Sequence, residues 1–285
     1  MKAKAKVGLL DSGAGGLTVL AAVIQQADVC DLHYFADDAF SPYGALPRKV
    51  MRQRVEKICL FLIEKGVNAL VLACNTATVE TIHMIRNMAQ VKARGIVIIG
   101  IEPAVKPAAL MQVNGVVTVL ATPVTCQSER LQSLINNSQQ VSSHSTRFQV
   151  LASDVLANAI DELPASQSLI EQELGRIKAL MQDMKSTTLV LACTHYPLIK
   201  ARFEQVCGPN VTIIEPSQAV AEQLCRRLPS IATKTKALKS QGVCQLVLYS
   251  SKDQKSVERL QAWLSSILGG GDFQSLDIEL KLVKL

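Results

Sequence analysis

Nowhere in these 285 residues do two cysteines stand as Cys-x-x-Cys, although there are eight, at positions 30, 59, 74, 126, 193, 207, 225 and 244. Their wide scatter in a core-rich chain is unlike a secreted disulfide framework and points to a reducing compartment, the cytoplasm. The four histidines, at 33, 83, 144 and 195, make no zinc spacing with them, so no metal site is expected. Also missing is an Arg/Lys stripe with interleaved aromatics. The net charge of +6, from 30 basic and 24 acidic residues, is spread along the chain, which argues against a nucleic-acid partner. Neither a signal peptide nor a membrane span is visible: Lys2, Lys4 and Lys6 read as a solvated lead-in, and Asp11 interrupts the apolar run after them. Charge is sparse, at 19% against 48% hydrophobic residues, which excludes a disordered chain and leaves apolar material for two compact domains or one large one.

What is present is a rhythm. Short apolar runs at 6–10, 32–36, 69–73 and 95–101 alternate with helical patterns at 17–26 and 48–65. The alternation resumes with runs at 116–120, 189–192, 211–214 and 245–249. This predicts an α/β protein with mostly parallel strands. Polar stretches at 136–145 and 160–168 read as loops. Breaks near 95–101 and 208–210 suggest one lobe of residues 1–98 plus 210–285 and a second of residues 99–209.

An internal repeat accompanies the rhythm. Residues 69–78 read ALVLACNTAT and residues 188–197 read TLVLACTHYP, each a buried-type strand ending in Ala-Cys. Ligands of parallel sheets bind at the carboxyl ends of the strands, so Cys74 and Cys193 are both placed at such a rim. Two similar lobes facing each other bring the two thiols across one cleft. A single buried cysteine is an ordinary small hydrophobe; the repeated Ala-Cys followed by Asn-Thr or Thr-His makes a pair of functional thiols the better reading. A free thiol titrates near pH ~8.5, so each needs local help from positive charge, amide dipoles or hydrogen bonds, and helix N-termini supply it. His195, next to Cys193, can move a proton.

Residues 7–17, VGLLDSGAGGL, join a strand to a helix through Gly13, Gly15 and Gly16. Thr18 occupies the third glycine's place of a dinucleotide fingerprint, and the Lys-Ser/Thr of a P-loop is missing. What remains is a tight loop able to hold an anion such as a carboxylate, or simply a connection. Asp11 at the strand's end is costly to bury without a role or a partner, such as a helix cap. Ser41 to Gly44, SPYG, is a second compact turn.

DSGAGGL, SPYG, ACNTAT, GIEPAVKPA and ACTHYPL, in this order and spacing, resemble the glutamate racemases, over most of residues 5–125 and again about 185–225. The resemblance implies two flavodoxin-like lobes with mostly parallel sheets and the active site in the cleft between them. It also implies a cytoplasmic homodimer that needs neither pyridoxal phosphate nor metal and supplies D-glutamate for peptidoglycan. Cys74 and Cys193 match the two acid/base thiols. Asp11 and His195 match the side chains that assist them, and Ser12, Tyr43, Gly44, Asn75, Thr76 and Thr194 match the substrate-binding positions, with Thr125 a looser match. The middle of the chain departs from the family. Where many members have Cys-Pro, an apolar run and a Glu, this chain has LASDVLANAIDE, with Ser153, Asp154 and Asp161 in the corresponding places. Three other readings remain: a racemase for aspartate or another amino acid, a non-catalytic amino-acid-binding relative, and a thiol-disulfide oxidoreductase, which the distant cysteines disfavour.

Overall fold

The strand pairings among the described residues are all parallel, as expected of runs too uniformly apolar to face water on one side. The structure, a computed structural model, describes residues 5–26, 31–112, 114–141, 146–228, 245–274 and 276–285. Lys2, Lys4, Cys30, His144 and Cys244 lie outside these ranges. The strands are β1 (Lys6–Asp11), β2 (Asp31–Ala36), β3 (Ala69–Leu72), β4 (Val97–Gly100), β5 (Val116–Ala121), β6 (Arg147–Ala152), β7 (Thr188–Leu191), β8 (Thr212–Ile214), β9 (Gln245–Ser250) and β10 (Asp277–Leu282). They form a six-stranded sheet, ordered β10-β9-β2-β1-β3-β4, and a four-stranded sheet, ordered β6-β5-β7-β8.

The chain divides into two compact units, residues 1–101 with 217–285, and residues 102–216. In the first, the helices α1 (Leu17–Gln26), α2 (Arg48–Glu64) and α3 (Asn75–Asn87) connect successive strands. α2 buries Met51, Val55, Ile58, Cys59, Leu62 and Ile63, one stripe at helical spacing, onto a core containing Leu10, Phe35, Leu70 and Leu72. In the second unit, alternate residues of β5 and β7 serve opposite faces of the sheet. Leu120, Leu189 and Leu191 join one apolar cluster, and Val117, Val119, Ala121, Val190 and Ala192 join the other. The edge strand β10, DIELKL, instead alternates exposed and half-buried residues, with Glu279 and Lys281 on the exposed side. Charges there discourage pairing with a further strand.

Two loop expectations need correction. Residues 136–141 are helical, the last turns of the helix Glu129–Val141. Leu131, Ile135 and Ser138 form its buried face, and the Asn and Gln residues between them are the solvated side of an amphipathic helix rather than a loop. Of residues 160–168, only 162–166 form the turn. Ile160 and Asp161 finish the helix Leu156–Asp161, and Gln167 and Ser168 open the helix Gln167–Asp183. No helix among the described residues is long and apolar enough to cross a membrane.

Candidate active site

In each parallel sheet the carboxyl ends of the strands share one rim. At the rim of the six-stranded sheet β1 ends on Asp11, followed by Ser12, and β3 leads through Ala73 to Cys74. Ala73 is held by its N–H to the Leu10 carbonyl at 2.8 Å, so the chain passes from strand to helix in two residues. Cys74 is extended, with φ −111° and ψ 122°, and is the N-cap of α3. Its carbonyl accepts the helix's first bond, from Thr78 N–H at 2.9 Å. The thiol therefore stands at the positive end of a 13-residue helix, where negative charge is favoured. It donates to Ser12 Oγ at 3.9 Å.

Asp11 is fully buried and accepts the Gly16 N–H on Oδ2 at 2.8 Å, which closes the loop before α1. The capping role is thus real, and it fixes the carboxylate beside the DSGAGG loop. Tyr34 bonds the same loop through the Gly13 carbonyl at 2.6 Å. At Gly16 a Cβ would lie 2.9 Å from both Asp11 Cβ and the Tyr34 hydroxyl, so only glycine lets the loop come this close.

Asn75 and Thr76 occupy the first turn of α3 and are buried. The Asn75 amide is unusual: neither its nitrogen nor its oxygen has a hydrogen-bond partner, although the residue is only 2% exposed. Buried amides are normally satisfied, so an orphaned one beside a buried thiol marks a candidate place for a polar ligand group to bond. Tyr43 and Gly44 lie in a short 3-10 turn, Tyr43–Ala45. Tyr43 packs in the same apolar cluster as Cys74, but its hydroxyl points inward, donating to Asp37 Oδ2 at 2.7 Å. The turn's own opening N–H groups, not the phenol, are what it has to offer a ligand.

The second unit carries a comparable rim. Ala192 N–H bonds the Leu120 carbonyl at 2.8 Å, matching Ala73, and Cys193 follows β7 as Cys74 follows β3. The two sites then diverge. Cys193 leads not into an α-helix but into a 3-10 turn, Tyr196–Ile199, with His195 as N-cap and Pro197 in the first turn. The helical amide dipole expected at both thiols is therefore supplied to Cys74, and Cys193 has side chains instead. His195 Nε2 lies 3.1 Å from Asp161 Oδ2, with the imidazole 2% exposed. Burial alone pushes a histidine pKa down, but the Asp161 carboxylate and the Cys193 sulfur outweigh it and hold His195 well above its ordinary value. Burial, followed by the Cys193 charge, pushes the Tyr196 phenol well up, so it remains a donor.

Of the three polar residues in the divergent middle, Asp161 alone meets the histidine. Ser153 is buried and accepts the Leu156 N–H at 3.2 Å, starting the helix that ends on Asp161, while Asp154 is exposed. Thr194 is buried beside Cys193, and Thr125 is buried and takes a bond from the Thr122 hydroxyl at 3.1 Å. Asp37 and Arg54, which tie down Tyr43, carry no sequence signal, since nothing local marks a loop aspartate and a helix arginine 17 positions apart as partners. Among the described residues, no group of three His, Cys, Asp or Glu side chains is disposed to hold a metal ion.

The sequence model of the Asp/Glu/hydantoin racemase family matches residues 34–224. The glutamate racemase of Ralstonia pickettii is 33% identical over 270 residues, covering 94% of this chain and 89% of that protein. That of Ectopseudomonas mendocina is 35% identical over 269 residues, covering 94% and 96%. Among solved structures, a glutamate racemase isoform from Bacillus anthracis superposes with a TM-score of 0.76 at 24% identity, over 99% of this chain and 98% of that one, a likeness of fold. The family match and the 33% and 35% identities over nearly the whole length agree, and the chain belongs to the Asp/Glu/hydantoin racemase family.

Proposed function

We propose that the chain interconverts L- and D-glutamate by exchanging the α-proton between two thiols, Cys74 and Cys193, with no organic cofactor or metal. The observation that carries the reading is the matched pair of buried cysteines. Each follows a parallel strand at the same Ala-Cys step, and each has its own source of charge stabilisation. The names of the relatives supply the substrate: they are glutamate racemases, matched over nearly the whole chain.

Removing a weakly acidic α-proton without an electron sink needs a strong base on one face and a ready acid on the other. In the proposed cycle one thiolate abstracts while the other thiol donates, and the roles reverse for the other enantiomer. By resemblance to the family, Cys193 serves L-glutamate and Cys74 serves D-glutamate. On the Cys74 side, the α3 terminus favours the thiolate, and the unbonded Asn75 amide is available to the substrate. On the Cys193 side, the neighbouring His195 is held in place by Asp161. Amides and hydroxyls fixed before substrate arrives stabilise the carbanionic carboxylate without reorganising. The same resemblance supports a cytoplasmic homodimer that feeds D-glutamate to peptidoglycan synthesis.

The test is incubation of purified protein with L-glutamate in heavy water, with nothing added. The expected result is approach to a mixture of both enantiomers, with α-deuterium appearing first in the D product. Absence of α-deuterium, or turnover restored only by pyridoxal phosphate or a metal, overturns the proposal. Parallel incubation with L-aspartate separates glutamate from the shorter substrate.

A further inference from the structure

Asp37 is the first residue beyond β2, fully buried, with its N–H on the Asp11 carbonyl at 3.0 Å. Arg54, on α2 and also buried, grips it with two bonds: Nε to Oδ2 at 3.0 Å and Nη2 to Oδ1 at 2.7 Å. The remaining guanidinium nitrogen, Nη1, donates to the Leu285 carbonyl, and the guanidinium plane lies over the Phe40 ring at 4.2 Å. The Tyr43 hydroxyl donates to Asp37 Oδ2 at 2.7 Å. Tyr43 is itself 1% exposed, and burial together with the Asp37 charge pushes its pKa well up, so the phenol keeps its proton.

Removing two charges from water costs several kcal/mol per ion, which is recovered only with good geometry and satisfied hydrogen bonds. Such a pair is a poor device for stability alone and a good one for fixing register. Here the contacts of Asp37, Phe40 and Tyr43 converge on one segment. Asp37 opens it, Phe40 covers the guanidinium, and Tyr43 is tethered from inside. The neighbouring Asp38 is pinned separately, by Ser250 Oγ at 2.6 Å and Arg259 Nη2 at 2.8 Å. The segment ends in the Ser41–Gly44 turn, whose short helical piece packs against α3, the helix that Cys74 caps. Because Arg54 neutralises Asp37, the tether leaves no net negative charge near a site meant for an anion.

We propose that Asp37 and Arg54 are positioning residues for substrate binding, acting through the Tyr43 hydroxyl to fix the backbone of residues 41–46 against the Cys74 side of the site. Tyr43 thus works as an anchor facing the core, and its contribution to the ligand is the placement of its own and Gly44's backbone. The inference rests on the reading of the chain as a glutamate racemase, and its test has one arm that does not.

Asp37→Asn, Arg54→Lys and Tyr43→Phe each remove part of the tether, and Tyr43→Phe is the gentlest. In the unliganded protein, the amides of Ala45 and Leu46, which bond the Pro42 and Tyr43 carbonyls at 3.1 and 3.2 Å, are expected to exchange with solvent roughly tenfold faster in all three variants. The amides of α3 are expected to stay protected. In steady-state assays KM for glutamate is expected to rise about tenfold with kcat within about threefold, and Asp37→Asn combined with Tyr43→Phe is expected to match the worse single variant. Unchanged exchange at Ala45 and Leu46, an additive double variant, or a lowered Tm with KM unmoved overturns the inference. A wild-type protein that does not racemise glutamate counts against the proposed function instead, and the exchange arm still decides the tether.

Discussion

His195 and Asp161 meet inside the second unit, Nε2 to Oδ2 at 3.1 Å, in a spot where the ring has almost no water. A histidine whose folded pKa is raised contributes stability that is complete below its unfolded value of about 6.5 and is lost as pH rises through the folded value. Asp161→Asn removes the cause. Urea denaturation is expected to show the variant less stable than wild type by about 3 kcal/mol near pH 6, with the gap narrowing at alkaline pH. A gap that widens with pH contradicts the imidazolium assignment. In the same variant kcat is expected to fall about a hundredfold, the usual scale for a lost acid/base partner.

Serine in place of either thiol keeps the approximate size but is a far weaker acid. Neither Cys74→Ser nor Cys193→Ser is expected to racemise glutamate at a useful rate, although both should still bind it. Each retains one base, so each is expected to eliminate a β-leaving group from one enantiomer only: Cys193→Ser from the D form and Cys74→Ser from the L form. Full racemase activity in either folded variant refutes the paired-thiol mechanism.

Asn75→Leu separates folding from binding. The amide makes no intramolecular hydrogen bond, so an apolar side chain of similar shape removes a desolvation cost and no contact. Thermal melts are expected to show Tm unchanged or raised, while KM for glutamate rises about tenfold or more. A lower Tm with unchanged KM assigns the amide to the fold.

Gly16→Ala tests the loop after β1. Its methyl meets Asp11, the Tyr34 hydroxyl and, at 3.0 Å, Ala73 Cβ, the residue that delivers Cys74. Overpacking of this kind costs about 1–3 kcal/mol, measurable by denaturant titration, and kcat is expected to fall with it because Asp11 and Cys74 are both displaced. A variant as stable and active as wild type shows the approach to be looser than the distances indicate.

The strands were legible because their burial is simple: ALVL and TLVL are covered on both faces, so hydrophobicity alone marks them. The cysteines were legible because the same Ala-Cys step occurs twice. The helix Glu129–Val141 was obscured because its inner face spends few apolar residues, Leu131 and Ile135, among Asn, Gln and Ser. The different turns after Cys74 and Cys193 are set by the residues next in the chain: Asn-Thr-Ala-Thr carries on as α-helix, whereas Tyr-Pro closes a 3-10 turn first. The grip of Arg54 on Asp37 depends on how α2 lies over β2, and no local pattern encodes that.

The discontinuous first unit has a consequence at the ribosome. Strands β1 to β4 emerge early, yet β9, which covers the free edge of β2, and β10, which pairs with β9, are made only after the whole of residues 102–216. The second unit, being continuous, can complete its sheet while β2 still offers an unpaired row of N–H and C=O groups. The nascent chain therefore passes through a stage with one finished unit and one open-edged sheet. Chaperone binding and premature aggregation would concentrate at β2 in that interval, and arrested chains ending before residue 245 would carry the exposed edge permanently.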